Sequence, residues 1–145
     1  MHSYYLHTEN ATQALDAIAK GVSNVRLSTD LHLSEQDFSL IDKELVLDED
    51  NKLTVTELKK IIKKTGRIYL CRDGDMDPLE DRSVGYYKLA PTSGAPLLEI
   101  SGVKMHISKG TDPFASASEM AKQAVSKGDK VLDCCSGLGY AAIAA

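Results

Sequence analysis

The sequence predicts an α/β chain in two parts: a small N-terminal α+β domain over residues 1–107 and, over residues 108–145, the opening of a parallel, doubly wound sheet. Three observations carry that expectation. Residues 130–135 form a short apolar run that includes one acid, Asp133, as in a strand buried on both faces. Gly137 and Gly139 then make a turn, and Tyr140, Ala141, Ala142 and Ile143 read as the start of a helix. Upstream, helical periodicities mix with alternating stretches and turn signals, the signature of a smaller α+β unit.

Taken in order, residues 10–20 read as a first helix. Asn10 is its expected cap with Gln13 reaching back; Ala14, Leu15 and Ile18 form an apolar stripe, and Gly21 ends it. Residues 25–33 and 38–47 alternate loosely as strands, separated by a turn at residues 34–37. Residues 48–52 are a charged turn whose Asp-x-Asp start suggests calcium. Leu53, however, stands where a calcium loop needs glycine, and Lys59 where it needs the bidentate acid. Residues 54–65 give the clearest helix, with Thr54 and Glu57 as a capping box, Val55, Leu58, Ile61 and Ile62 on one face, and Gly66 as C-cap.

Residues 67–72 alternate as a strand and residues 73–78 form an acidic loop, in which Pro78 again occupies the glycine position of a calcium site. Residues 84–90 read as a strand, 91–96 as a loop, and 97–107 as two strands folded at Ser101 and Gly102. Asp112 and Pro113 open a helix in the favoured way. Phe114, Ala117, Met120, Ala121 and Ala124 give it a stripe, and Lys127 with Gly128 stops it just before the run at 130–135.

Seventeen Lys and Arg against 21 Asp and Glu leave a net charge of −4, so no overall basic field invites nucleic acid or an anionic membrane. Lys59, Lys60, Lys63 and Lys64, followed by Arg67, are read as cations favoured at a helix C-terminus, with an RNA contact as the alternative. No apolar run approaches the roughly 18 residues of a membrane span. Without a signal-peptide pattern a cytoplasmic protein with three reduced cysteines is expected. His2, His7, His32 and His106 show no metal-ligand spacing, so no metal is expected; His106 stands out because the loop after it could border a cofactor. Cys134 and Cys135 read as packing residues of the turn.

The turn itself should carry a ligand, because two glycines let a bound molecule approach the backbone where a Cβ would collide. Residues 137–142 also fit G-x-G-x-x-A, the dinucleotide fingerprint of Rossmann folds. Asp133 beside the turn would repel a pyrophosphate, whereas the ammonium and sulfonium of S-adenosylmethionine (SAM) tolerate or attract it. SAM is therefore favoured, with NAD as the alternative.

Val131, Leu132 and Asp133 followed by Gly137 and Gly139 resemble motif I of the class I SAM-dependent methyltransferases, with Cys135 where that pattern has its first glycine. Together with residues 101–106 and 110–113, the run from 128 to 140 resembles a group of predicted archaeal methyltransferases. The resemblance implies a Rossmann-like SAM-binding domain entered by its first helix, first strand and glycine loop, with SAM over Asp133, Cys134, Cys135, Ser136, Gly137, Leu138, Gly139 and Tyr140. It implies a chain that stops just after motif I, inactive alone, whose catalytic residues lie beyond Ala145. The alternatives are an aminopropyltransferase of the same fold, an NAD-binding Rossmann protein, and a non-enzymatic binding module. The region after about Gly128, a severed sheet, is also expected to be either mobile or held by self-association.

Overall fold

The first helix starts earlier than its sequence suggests, because Asn10 is not its cap. In the computed structural model, which describes residues 2–134 and 136–145, α1 spans Thr8–Lys20 with His7 as N-cap, and the His7 N–H donates to Asn10 Oδ1 at 3.0 Å. Asn10 thus reaches back from inside the first turn, and Gly21 at φ +70° closes the helix. Strand β1 (Tyr4–Leu6) pairs antiparallel with β6 (Tyr69–Arg72), which turns at Asp73 and Gly74, φ +54° and +84°, into β7 (Asp75–Pro78). The acids expected in a loop there lie in this hairpin.

A second antiparallel sheet runs in the order β2 (Asn24–Leu27), β3 (Gln36–Ile41), β4 (Glu44–Val46), β5 (Lys52–Leu53). The single strand expected over residues 38–47 is folded in two at Asp42 and Lys43, both left-handed at φ +51° and +67°, a pair whose twist suits a tight hairpin. The strand expected over 25–33 ends at Leu27. Helix α2 (Val55–Lys63) has the predicted capping box: the Glu57 N–H donates to Thr54 Oγ1 at 3.3 Å, and the Thr54 N–H to Glu57 Oε2 at 2.8 Å. Leu6, Leu27, Phe38 and Leu45 from the two sheets and Leu58 and Ile61 from α2 join one core. Each such side chain contributes about 1.5–3 kcal/mol by leaving water.

The chain divides into two compact units after Leu79, so the boundary expected at 107/108 falls inside the second unit. There β8 (Glu80–Asp81), β9 (Tyr87–Ala90), β10 (Leu97–Ile100) and β11 (Val103–Lys104) form an antiparallel sheet. Ser101 and Gly102, φ +49° and +85°, turn β10 into β11 as the sequence predicts. Lys88 and Glu99 face each other across β9 and β10 at 3.1 Å, both largely shielded from water. Helix α3 (Pro113–Ala124) is capped by Asp112, whose Oδ1 accepts from the N–H groups of Phe114 and Ala115 at 2.9 and 3.1 Å. The loop before β10 approaches that cap through Gly94, where a Cβ would stand 2.9 Å from Asp112 Cγ. A last helix, α4 (Tyr140–Ala144), follows Gly139 at φ +78°.

This architecture overturns the expected fold class. Every strand pairing among the described residues is antiparallel, in three small sheets, and residues 131–134 form no strand. The chain is therefore not an α/β domain opening a Rossmann-like parallel sheet. A buried strand needs neighbours to take its N–H and C=O groups and cover both faces. Here β8 to β11 pair among themselves, and Val131 and Leu132 are instead 55% and 85% exposed. Among the described residues no helix is long and apolar enough to cross a membrane.

Candidate functional site

The second unit gathers most of the residues that the sequence singled out. A cleft of about 480 Å³ is lined by His106, Ser136, Gly137 and Tyr140 together with apolar Leu98, Ile100, Met105, Ile107 and Met120. That volume lies within the range of small-molecule sites. His106 and Tyr140 rings stand 5.4 Å apart, and Phe114 meets Tyr140 edge-on at 6.1 Å. The Tyr140 hydroxyl donates to the Pro96 carbonyl at 2.7 Å, which anchors α4 to the loop before β10.

His106 is oriented by the sheet. The Leu98 N–H donates to His106 Nδ1 at 3.2 Å, so a neutral imidazole carries its proton on Nε2. Nε2 lies 3.4 Å from where a Cβ on Gly137 would sit, placing a donor against the glycine turn. Burial holds His106 below the usual imidazole range, and burial followed by the charge of Asp112 raises Tyr140 above the usual phenol range. Both rings are thus neutral near pH 7. Gly137 itself is left-handed at φ +52°, a conformation that side chains strain to adopt.

The candidate residues do not all converge. Asp133 lines an adjoining apolar cavity of about 410 Å³ with Val131 and Leu132, which shares Met120 and Ala141 with the cleft, while Cys134 is exposed and lines neither. Leu138 and Gly139 are half-buried within the turn, and Cys135 lies outside the described residues. In the first unit the side chains of Lys59, Lys60, Lys63 and Lys64 are exposed. Cys71 is buried and its thiol is pushed up to about 12, by burial first and the charge of Glu57 second, so it is no nucleophile.

One grouping escaped the sequence altogether. His7 and His32, far apart in the chain, come within 5.4 Å ring to ring, and with Glu9 they present ligand atoms within 4.8 Å of one another. Burial first and the neighbouring His32 second lower the His7 pKa from its ordinary value. No spacing rule could have paired these residues, because the second histidine reaches the first only through the fold of residues 28–34.

No family model matches the chain. It is similar to an uncharacterized protein of Methanocaldococcus jannaschii, 38% identical over 137 residues, an alignment covering 88% of this chain and 47% of that protein. The chain spans about half the length of the curated relative it matches.

Proposed function

We propose that the chain is the N-terminal part of a SAM-dependent methyltransferase, with the cleft around His106, Ser136, Gly137 and Tyr140 contributing to the cofactor site. One observation carries this reading: the cleft joins aromatic and apolar walls to a backbone glycine turn, with no lysine or arginine among its described lining residues. A pyrophosphate there would find the backbone N–H groups of the turn and the start of a five-residue helix, but no cation among the described lining residues, so a dinucleotide is the weaker fit. SAM suits it better, since the adenosine offers a flat apolar face to His106 and Tyr140, and the His106 Nε2–H is placed to donate to a ligand acceptor. Bound SAM supplies a methyl group already activated on sulfonium. The protein's part is then mainly to hold an acceptor in line with it and to exclude water. This reading rests on the cleft and the residues of the turn, not on a parallel sheet.

Calorimetry on a protein of the relative's full length that carries this chain provides the test. SAM or S-adenosylhomocysteine should bind, and Gly137→Val should abolish binding while circular dichroism stays unchanged, because the new side chain strains the turn and crowds His106. Binding of NAD in place of SAM would overturn the proposal.

A further inference from the structure

We propose that His7, Glu9 and His32 form a binding site in the first unit for a divalent transition-metal ion of the zinc type. Two imidazoles and one carboxylate are a donor set suited to Zn(II) or Co(II), whereas calcium and magnesium take oxygen ligands. Their donor atoms lie within 4.8 Å of one another. Around a tetrahedral ion with bonds of about 2.1 Å, donors stand roughly 3.4 Å apart. Rotations of the exposed Glu9 and His32 side chains close that difference, while His7, 4% exposed, is the fixed member.

The protein builds both histidines into place from separate elements. His7 is anchored as the N-cap of α1, and Asn10, which accepts from its N–H, also donates through Nδ2 to the Ser28 carbonyl at 2.7 Å. That bond ties the start of the helix to the loop that carries His32. The loop passes through two successive left-handed residues, Leu31 at φ +62° and His32 at φ +70°, neither of them glycine. Asp30 holds it there: its Oδ1 accepts from the N–H groups of Leu33 and Ser34 at 3.1 and 2.9 Å and from Ser28 Oγ at 2.9 Å. The His32 N–H in turn donates to Ser28 Oγ at 2.9 Å.

Such backbone conformations cost of order 1–3 kcal/mol each and persist where surrounding bonds over-determine them, often at ligand clamps. Asp30 is occupied in holding the loop, which leaves Glu9 as the acid that faces the two rings. A cation beside a helix N-terminus meets the positive end of the dipole, and the Glu9 carboxylate in the first turn offsets that repulsion. Three protein ligands leave one position of a tetrahedral ion for water, so the site is open rather than closed.

Titration of the full chain with Co(II), followed by visible absorbance, and with Zn(II), followed by calorimetry, decides the matter. A single ion should bind with the absorption of a low-symmetry cobalt centre. His32→Ala and Glu9→Gln, both at exposed side chains, should each weaken binding at least about tenfold with unchanged circular dichroism. His106→Ala should leave it unchanged. No saturable binding by the unaltered chain, or equal affinity in His32→Ala, would overturn the site, as would an equal loss in His106→Ala.

Discussion

Residues 2–79 bury Leu6, Leu45, Leu58 and Ile61 completely, whereas among the described residues after Leu79 the buried apolar side chains are Ala90, Leu97, Pro113, Ala117 and Ala121. Phe114, Met120, Val131, Leu132 and Ile143 stay exposed in that second unit. Both units obey the same local rules of capping, turning and periodicity. The difference lies in convergence: strands from two sheets and two helices meet on one cluster in the first, while the second pairs one sheet with helices whose stripes are only partly covered. Local signals therefore make elements, but a core requires several elements to face one another. The cleft belongs to the less buried unit, where apolar side chains remain available to a ligand.

The largest expected effect tests the closed core. Leu58→Ala removes a fully buried side chain and should cost about 2–5 kcal/mol in chemical denaturation. A loss under 1 kcal/mol would mean that the first unit is not packed as described.

A smaller effect concerns His106. Its folded-state pKa is depressed, so the stability it contributes is present above its ordinary value of 6.5 and is lost as pH falls through the folded value. Protonation also removes the Nδ1 acceptor used by the Leu98 N–H. Tyr140 ring resonances, followed during thermal melting, should report lower stability at pH 5.5 than at pH 7.5, and His106→Gln should reduce that difference. An unaltered pH response in the variant would remove His106 from the account.

The smallest effect is expected at Leu132, which is 85% exposed. Leu132→Ser should change stability by no more than about 0.5 kcal/mol. A loss above 1 kcal/mol would show that this side chain is covered in solution and that the contrast between the units is overstated.

Much of the local structure was legible in the residues. Thr54 with Glu57, Asp112 before Pro113, and Ser101 with Gly102 each predicted the cap or turn that forms. Asn10 misled by one turn, because a residue suited to capping serves equally well from inside the helix when His7 precedes it. Of the candidate site, the pattern at residues 133–140 named Ser136, Gly137 and Tyr140, which share the cleft with His106, and Asp133, which lines another cavity.

By itself the sequence determined features that depend on neighbours a few residues away: the capping box of α2, the Asp112 cap of α3, the turn at Ser101 and Gly102, and the apolar stripes of α1, α2 and α3. Tertiary structure alone decided how strands pair. An apolar run such as residues 130–135 carries no information on who its partner is, and β9 and β10 satisfied each other's backbone groups. It also decided that His32 meets His7 and that His106 meets Gly137 and Tyr140. Those encounters depend on the path of loops 28–34 and 105–112, set by hydrogen bonds that Ser28 and Asp30 accept and that Leu98 donates. Bonds of that kind form only once the chain has folded back on itself, which is why no spacing in the sequence announces them.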